Sequence, residues 1–391
     1  MTSPPKLRLA IVGPTHPFRG GISHHTTLLF RHLRERHDTR FFAFRRQYPM
    51  WLYPAQTDRD PSEQPLAEPG VVHALDSLNP LTWIRVAMAI REFNPDAVII
   101  PWWVAFWAPQ MWTISRLVRF GRTTSVLFIC HNVVEHEPSA MRAFLTRRAL
   151  RSGTAFLVHS DEDRANLEAI VPGAIVEKAA LPSFGEVAAQ RVTRAEARRR
   201  LDLGTDERIL LFFGFVRPYK GLMRVIDAMP QILAHTEVRL VIAGEFWHDR
   251  ADYLNRIEEL GLSDRITVID RYIPNEEVGT LFAAADIVVQ PYETATQSAV
   301  TQLAFDLDRP VVVTDVGGLP ETVDDRKTGY VVPAADSSAI AVSVIDFFAN
   351  DRGESMERAI LETRDRFGWP RFVDAVERLL RRCDRRSSFP V

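Results

Sequence analysis
The 391-residue sequence predicts an α/β protein built from two doubly wound, Rossmann-like domains. Three observations lead there. Apolar runs of strand length alternate with helical patterns along the chain, the signature of parallel sheets covered on both faces. The alternation comes in two consecutive blocks. The length is also enough for two domains of ordinary size.

In the first block the strand candidates are LRLAIVG (7–13), TRFFAF (39–44), DAVII (96–100), SVLFIC (125–130) and AFLVHS (155–160). Helical patterns lie between them. In HHTTLLFRHLRER, for example, Leu28, Leu29, His32 and Leu33 share one face. The second block repeats the pattern with RILLFFG, VRLVIAG, RITVID, DIVVQPY, RPVVVTD and YVVP. Between the blocks, LPSFGEVAAQRVT (181–193) interrupts the pattern with proline, glycine and small residues, giving domains of 1–182 and 183–368. The charged helix that follows, TRAEARRRLDLG, is expected to stop at Gly204. Functional loops of open parallel sheets gather beyond the carboxyl ends of the strands, so a ligand is expected there, in a cleft between the domains.

Composition narrows the function. Hydrophobic residues at 46% and charged residues at 25% exclude a disordered chain. A net charge of −2 excludes a whole-chain polyelectrolyte binder, and no nucleic-acid recognition motif or strong basic stripe is present. Residues 1–182 hold 21 Lys+Arg against 16 Asp+Glu, and the remainder 27 against 34. A mildly basic half beside an acidic half fits anionic or membrane-surface ligands on the first. Cys130 and Cys383 are the only cysteines, which offers neither a disulfide framework nor a zinc ligand set and points to a reducing cytoplasm. The start MTSPPKLRLAIVG runs straight into a strand, so no signal peptide is expected.

One stretch needs separate treatment. Residues 97–115 contain no charge over 19 positions, near the length that spans a bilayer. Pro101, Pro109, Gln110 and the fit of DAVII to a buried strand favour a strand followed by an aromatic loop. Trp102, Trp103, Phe106, Trp107 and Trp112 read as partly core, with the loop lining an acceptor groove or dipping into a membrane interface. Arg142, Arg147, Arg148 and Arg151 read either as a solvated helix face or as an anionic-lipid surface.

The segments suited to chemistry follow strands. Gly20 and Gly21 precede a helix that Ser23 is placed to cap, and the free N–H groups of such a helix start hold phosphate; the plain alternative is a ligand-free glycine turn. The G-x-G-x-x-G dinucleotide fingerprint is absent. His131 sits at the carboxyl end of a strand, where it reads equally as a cleft residue or a structural histidine. His136 and Glu137 lack the second histidine of a zinc motif, so no metal is assigned. In LLFFGFVRPYKGL (210–222) a buried strand ends at Gly214 and is followed by Arg217, Lys220 and Gly221. Lysine is rare, with four against 44 arginines, so an ammonium group kept at a strand–loop–helix junction points to phosphate, with Arg217 offering a fork. Further on, Thr296, Gln297 and Ser298 open a helix, Glu293 follows a buried strand, and Gly317, Gly318 and Glu321 follow another. Together with Lys220 they outline one anionic-ligand site.

These pieces, in this order, resemble the GT-B-fold, retaining nucleotide-sugar glycosyltransferases of glycosyltransferase family 4. The resemblance rests on the Gly-Gly loop after the first strand, FFGFVRPYKGL, AGE (243–245), AADIVVQPY, RPVVVTDVGGLPE, GYVVPAADSSAIA (329–341) and the closing helix from Trp369-Pro370. It implies a metal-independent enzyme with no cofactor. The amino-terminal domain would hold a glycan, lipid-linked or small-molecule acceptor, and the carboxyl-terminal domain a nucleoside-diphosphate sugar. Helix 369–391 would pack back on the amino-terminal domain. By the resemblance Lys220 matches the diphosphate ligand and His131 the histidine beside the donor sugar. Gly20-Gly21 matches the loop near the phosphates and acceptor, and Ile273, after Arg271 and Tyr272, the nucleobase loop. Gly214 and Glu245 join the donor site. The implied setting is cell-envelope polysaccharide or glycolipid synthesis, in the cytoplasm or peripheral on the inner face of the membrane.

The sequence departs from the family pattern at three positions. Phe215 stands where the family places an arginine, with Arg217 two residues later. Counting back from Pro310, the two glutamates of E-x7-E fall on Ala295 and Leu303. The departures define a variant subgroup in which Glu293 or Gln297-Ser298 would take over the sugar contacts. They also leave open a non-catalytic nucleotide-sugar-binding protein or a GT-B-fold epimerase.

Overall fold
The apolar runs pair into two parallel sheets. A computed structural model describes residues 6–53, 55, 57–134, 139–188 and 190–387. In chain order the first unit contains β1 (Arg8–Gly13), α1 (Gly21–Arg36), β2 (Asp38–Arg46), β3 (Val71–Asp76), α2 (Pro80–Phe93), β4 (Ala97–Trp102), α3 (Ala108–Arg119), β5 (Ser125–Cys130), α4 (Ala140–Leu150), β6 (Ala155–Val158), α5 (Asp161–Ile170) and β7 (Ile175–Lys178). The second contains α6 (Arg194–Arg200), β8 (Ile209–Phe213), α7 (Leu222–Leu233), β9 (Arg239–Ala243), α8 (Arg250–Glu259), β10 (Ile266–Ile269), α9 (Asn275–Ala284), β11 (Ile287–Gln290), α10 (Ala299–Asp306), β12 (Val311–Thr314), α11 (Leu319–Thr322), β13 (Gly329–Val332), α12 (Ser337–Ala349) and α13 (Gly353–Thr363). The last helix, α14 (Trp369–Ser387), belongs to the first unit.

The first unit comprises Met1–Asp60, Pro65–Ala180 and Trp369–Val391, and the second Pro61–Gln64 and Leu181–Gly368. The division therefore falls two residues before the expected seam, and residues 61–64 fall with the second unit. In that unit the Ser62 hydroxyl accepts from the N–H of Asn275 at 3.0 Å.

The first sheet has the order β3-β2-β1-β4-β5-β6-β7 and the second β10-β9-β8-β11-β12-β13. Every pairing is parallel. Central strands are buried on both faces, which is why they read as unbroken apolar runs: all six residues of β4 and of β5 are buried. In each sheet the strand order reverses beside the first strand of the unit, β1 or β8, where loops from neighbouring strands diverge.

The structure revises several local expectations. β3 and β7 are the edge strands of the first sheet; only part of each is buried, so neither carried the apolar run that marks a central strand. Gly20 caps α1, and Ser23 lies inside the first turn, buried, its carbonyl accepting from Thr27. α6 stops at Leu201 rather than Gly204, because Asp202 adopts a left-handed φ of 54°. Residues 97–115 form β4, a short 3-10 turn and most of α3, and no helix among the described residues is long and apolar enough to cross a membrane. Trp102 and Trp107 are core residues, each 1% exposed. The aromatic segment is therefore mainly a packing element, with Trp103 and Phe106 half-buried against the same core.

Candidate functional site
Several of the predicted residues of the second unit come together at the carboxyl ends of β8, β11 and β12. β8 ends at Phe213, and Gly214 follows with φ +101°. A Cβ on Gly214 would lie 3.1 Å from the Lys220 Nζ and 3.8 Å from Val300 in the first turn of α10. Lys220 closes a Pro-Tyr-Lys 3-10 turn, and Gly221, at φ +64°, starts α7. A side chain on Gly221 would strike the carbonyl of Pro291, so glycine lets β11's exit loop press on this turn. The N–H of Glu293 donates to the carbonyl of Tyr219 at 2.7 Å across the same contact.

Lys220 lies half-buried with its Nζ 5.3 Å from the centroid of the Tyr292 ring. Burial lowers its pKa, the nearby Arg217 acting in the same direction. Arg217 packs over Tyr219 at 5.1 Å and Trp247 at 5.4 Å. Among the described residues no carboxylate pairs with either cation. Burial also holds the Tyr292 hydroxyl protonated, pushing its pKa up to about 12. The result is a positive pair set in an aromatic wall, which lowers the local dielectric and strengthens its attraction for an anion.

The remaining donor-side residues divide into those aimed at this place and those held elsewhere. Ser298 caps α10, its hydroxyl accepting from the Val300 N–H and donating to the Gln290 side chain at 2.6 Å. Thr301 donates to the same oxygen at 3.0 Å, so Ser298 is part of a buried polar knot. Thr296 and Gln297 precede the helix rather than opening it. The carbonyl of Thr296 accepts from the Gly318 N–H, and the amide of Gln297 donates to the Gly318 carbonyl, which joins the α10 entry to the Gly317-Gly318 loop after β12. Glu321 follows that loop on α11, and its own carbonyl takes Arg366. Glu293 is exposed and ion-paired with Arg224 at 3.1 Å. Glu245 accepts from the Trp247 indole at 3.3 Å. Ile273 is 6% exposed, so its side chain belongs to the core. Leu303 is buried as well.

In the first unit, His131 at the end of β5 meets two histidines that sequence reading did not single out. Its ring centroid is 4.6 Å from that of His25 in α1 and 5.1 Å from that of His159 after β6. Trp369 and Phe372 of α14 each lie 5.5 Å from His25. The His159 Nδ1–H donates to the Ala179 carbonyl at 3.0 Å, which fixes its tautomer. Burial drives all three histidines to the neutral form: His131 well below its usual value, with His25 and His159 adding to the effect; His25 likewise; and His159 to about 4. The signal that could have revealed them is positional. His159 ends a strand as His131 does, and His25 stands one turn after the Gly20-Gly21 loop. Gly20 has φ +107° with open space where a Cβ would be.

His136 and Glu137 lie outside the described residues. Among the described residues no group of three or more His, Cys, Asp or Glu has the geometry to hold a metal ion. A cavity of about 760 Å³ in the second unit sits at the opposite end of the sheet, among the ion pairs of Arg194, Arg198 and Asp286, and includes none of the predicted site residues.

Residues 193–366 match the family model described as glycosyl transferases group 1. D-inositol 3-phosphate glycosyltransferases of Mycobacterium tuberculosis and Mycobacterium bovis are 32% identical over 197 residues, 49% of this chain. The match takes in only 40% of those relatives' length. Solved structures match nearly the full chain. Sucrose-phosphate synthase from Thermosynechococcus elongatus has a TM-score of 0.71 at 18% identity, covering 96% of this chain and 99% of its own. HepE from Anabaena, solved with UDP and glucose, has a TM-score of 0.72 at 15% identity, covering 98% and 100%. Residues 193–366 are thus similar in sequence to group 1 glycosyl transferases, and the whole chain has the GT-B fold, two Rossmann-like domains each with a parallel sheet.

Proposed function
We propose that this protein is a glycosyltransferase that moves a sugar from a nucleoside-diphosphate sugar to an acceptor hydroxyl with retention of configuration. The observation that carries the reading is Lys220, beside the first turn of α10 and with Arg217 nearby, neither cation having a carboxylate partner among the described residues. Breaking the bond between the sugar's anomeric carbon and the diphosphate leaves negative charge on the departing oxygen. Preorganised cations and helix N–H groups stabilise that charge more as it grows, which accelerates transfer. Lys220 and Arg217 are assigned to the diphosphate, in place of a metal ion. The other bond of the exchange forms between the acceptor oxygen and the anomeric carbon, and the hydroxyl's proton leaves with the diphosphate.

Within the first unit, His131 is assigned to the transferred sugar and the Gly20-Gly21 loop to phosphate or acceptor. Burial keeps His131 neutral, which suits a hydrogen-bonding role rather than ion pairing. Support for the donor class comes from the group 1 match over 193–366 and from HepE, which was solved with UDP and glucose.

A second reading is a nucleotide-sugar-binding protein that does not transfer. Ala295 and Leu303, where the family pattern has glutamates, favour it. A thermal-shift screen against UDP-, GDP- and ADP-sugars, followed by product analysis, separates the two. Stabilisation with sugar transfer or slow donor hydrolysis supports the enzyme. Tight binding with the donor left intact supports the second reading, and no stabilisation by any donor contradicts both.

A further inference from the structure
We propose that Gln290 is a positioning residue of the donor site, fixing both walls that hold the Lys220 ammonium. The inference rests on the glycosyltransferase reading, which assigns Lys220 to the diphosphate. Gln290 is the last residue of β11 and is 1% exposed. Its side-chain oxygen accepts from the Ser298 hydroxyl at 2.6 Å and from the Thr301 hydroxyl at 3.0 Å. Ser298 caps α10 and Thr301 closes its first turn, so one oxygen grips both ends of that turn. Val300 stands between them, and Val300 and the Lys220 Nζ both lie against Gly214. The first turn of α10 is therefore one wall beside the ammonium.

The Tyr292 ring is the other. Its centroid is 5.3 Å from Nζ, and its hydroxyl faces that of Ser298. Thr314 of β12 donates to the Tyr292 carbonyl at 2.5 Å, which ties down the backbone of this residue. The far end of the ring is set by Ser298, and Ser298 by Gln290. The amide nitrogen of Gln290 is buried and finds no hydrogen-bond partner among the described residues. An unsatisfied buried donor costs stability, and an apolar side chain of similar size would avoid that cost. The three residues of β11 before it, Ile287, Val288 and Val289, are apolar and fully buried. What Gln290 contributes is placement rather than stability. Placement matters because a charge-stabilising group acts only where it is preorganised, and a shift of about 1 Å costs roughly a hundredfold in rate.

Gln290→Leu removes the gripping oxygen and nearly keeps the volume. Calorimetry of the full chain with UDP, GDP and ADP tests it, followed by turnover with the donor that the thermal-shift screen identifies. The variant is expected to stay folded by circular dichroism, to lose roughly tenfold or more in turnover, and to lose less in nucleoside-diphosphate affinity. In a Lys220→Ala background the same substitution should change residual turnover less than about twofold, because the group it positions is gone. General loosening of the fold would lower turnover equally in both backgrounds. Tyr292→Phe, which keeps the ring and removes its hydroxyl, should act in the same direction, and it carries the test by the same criteria if Gln290→Leu does not fold. Turnover within about twofold of wild type in the folded variant, or an equal loss in the Lys220→Ala background, overturns the inference and leaves the donor site standing. Wild-type protein that binds none of the three nucleotides contradicts the glycosyltransferase reading itself, and the inference with it.

Discussion

The side-chain amide of Gln297 donates to the carbonyl of Gly318 across 3.0 Å, while its oxygen accepts from the Thr322 hydroxyl at 3.3 Å. Gln297 therefore bridges the α10 entry and the loop after β12. The bridge needs glycine on the far side, since a Cβ on Gly318 would meet the Gln297 nitrogen and the Thr296 carbonyl. Gln297→Ala is expected to lower stability by about 1 kcal/mol, the cost of losing a partly buried hydrogen bond. Urea denaturation at unchanged slope measures it. An unchanged midpoint would mean that the bridge contributes nothing to stability.

How much of this was legible in the sequence depends on what each residue touches. Central strands announced themselves because both faces are buried, as with SVLFIC, whose predicted bounds match β5. β3 and β7 did not, because an edge strand shows half its residues to water. Lys220 was legible from its rarity and its place after a buried strand. The pairing of Gln297 with Gly318 was not, since it joins residues 21 positions apart through a loop whose path no periodicity encodes. The His25–His131–His159 cluster was hidden for the same reason: three separate elements bring the rings together.

Gly221 holds a left-handed φ of +64°, and a Cβ there would lie 2.0 Å from the Pro291 carbonyl oxygen. Gly221→Ala must move the turn that carries Lys220. Strain of this kind costs about 1–3 kcal/mol. UDP affinity, read by calorimetry on folded protein, should fall roughly tenfold or more, since 1.4 kcal/mol is a factor of ten. Wild-type affinity in this variant would show that the turn does not position the diphosphate.

Asp286 accepts from the Ile209 N–H at 2.7 Å and pairs with Arg198 at 3.0 Å, where Arg198 is 3% exposed. Removing the carboxylate leaves a buried guanidinium under-compensated. Asp286→Ala should destabilise the second unit by about 3 kcal/mol, whereas Asp286→Asn, which can still accept from Ile209, should cost less. Equal losses would place the effect in the charge pairing with Arg198 alone, and not in the hydrogen bond.

The neutral histidines make the first unit sensitive to acid. A histidine whose folded pKa is depressed binds its proton more readily when unfolded, so stability falls as pH drops below about 6.5. For His159 the loss continues down to about pH 4. Each such group contributes a slope of about 1.4 kcal/mol per pH unit within its window. Melting temperature should therefore fall from pH 7 to pH 5, and His159→Asn, which can still donate to the Ala179 carbonyl, should flatten the slope. A profile that His159→Asn leaves unchanged would assign the acid sensitivity to other groups.

Lys220 carries the central claim, and transfer kinetics on Lys220→Ala test it most directly. The ammonium group lies beside Gly214 and the first turn of α10, without a carboxylate partner among the described residues. Loss of one preorganised charge-stabilising donor should cut turnover by roughly two to three orders of magnitude, and lower donor affinity less. Lys220→Arg should recover only part, because a planar fork does not replace a compact ammonium. The measurement is turnover with the donor found by the thermal-shift screen, with circular dichroism showing that the variant is folded. A loss of about a hundredfold or more is the result expected here. Near wild-type turnover in folded Lys220→Ala would remove the diphosphate site from this position and contradict the account.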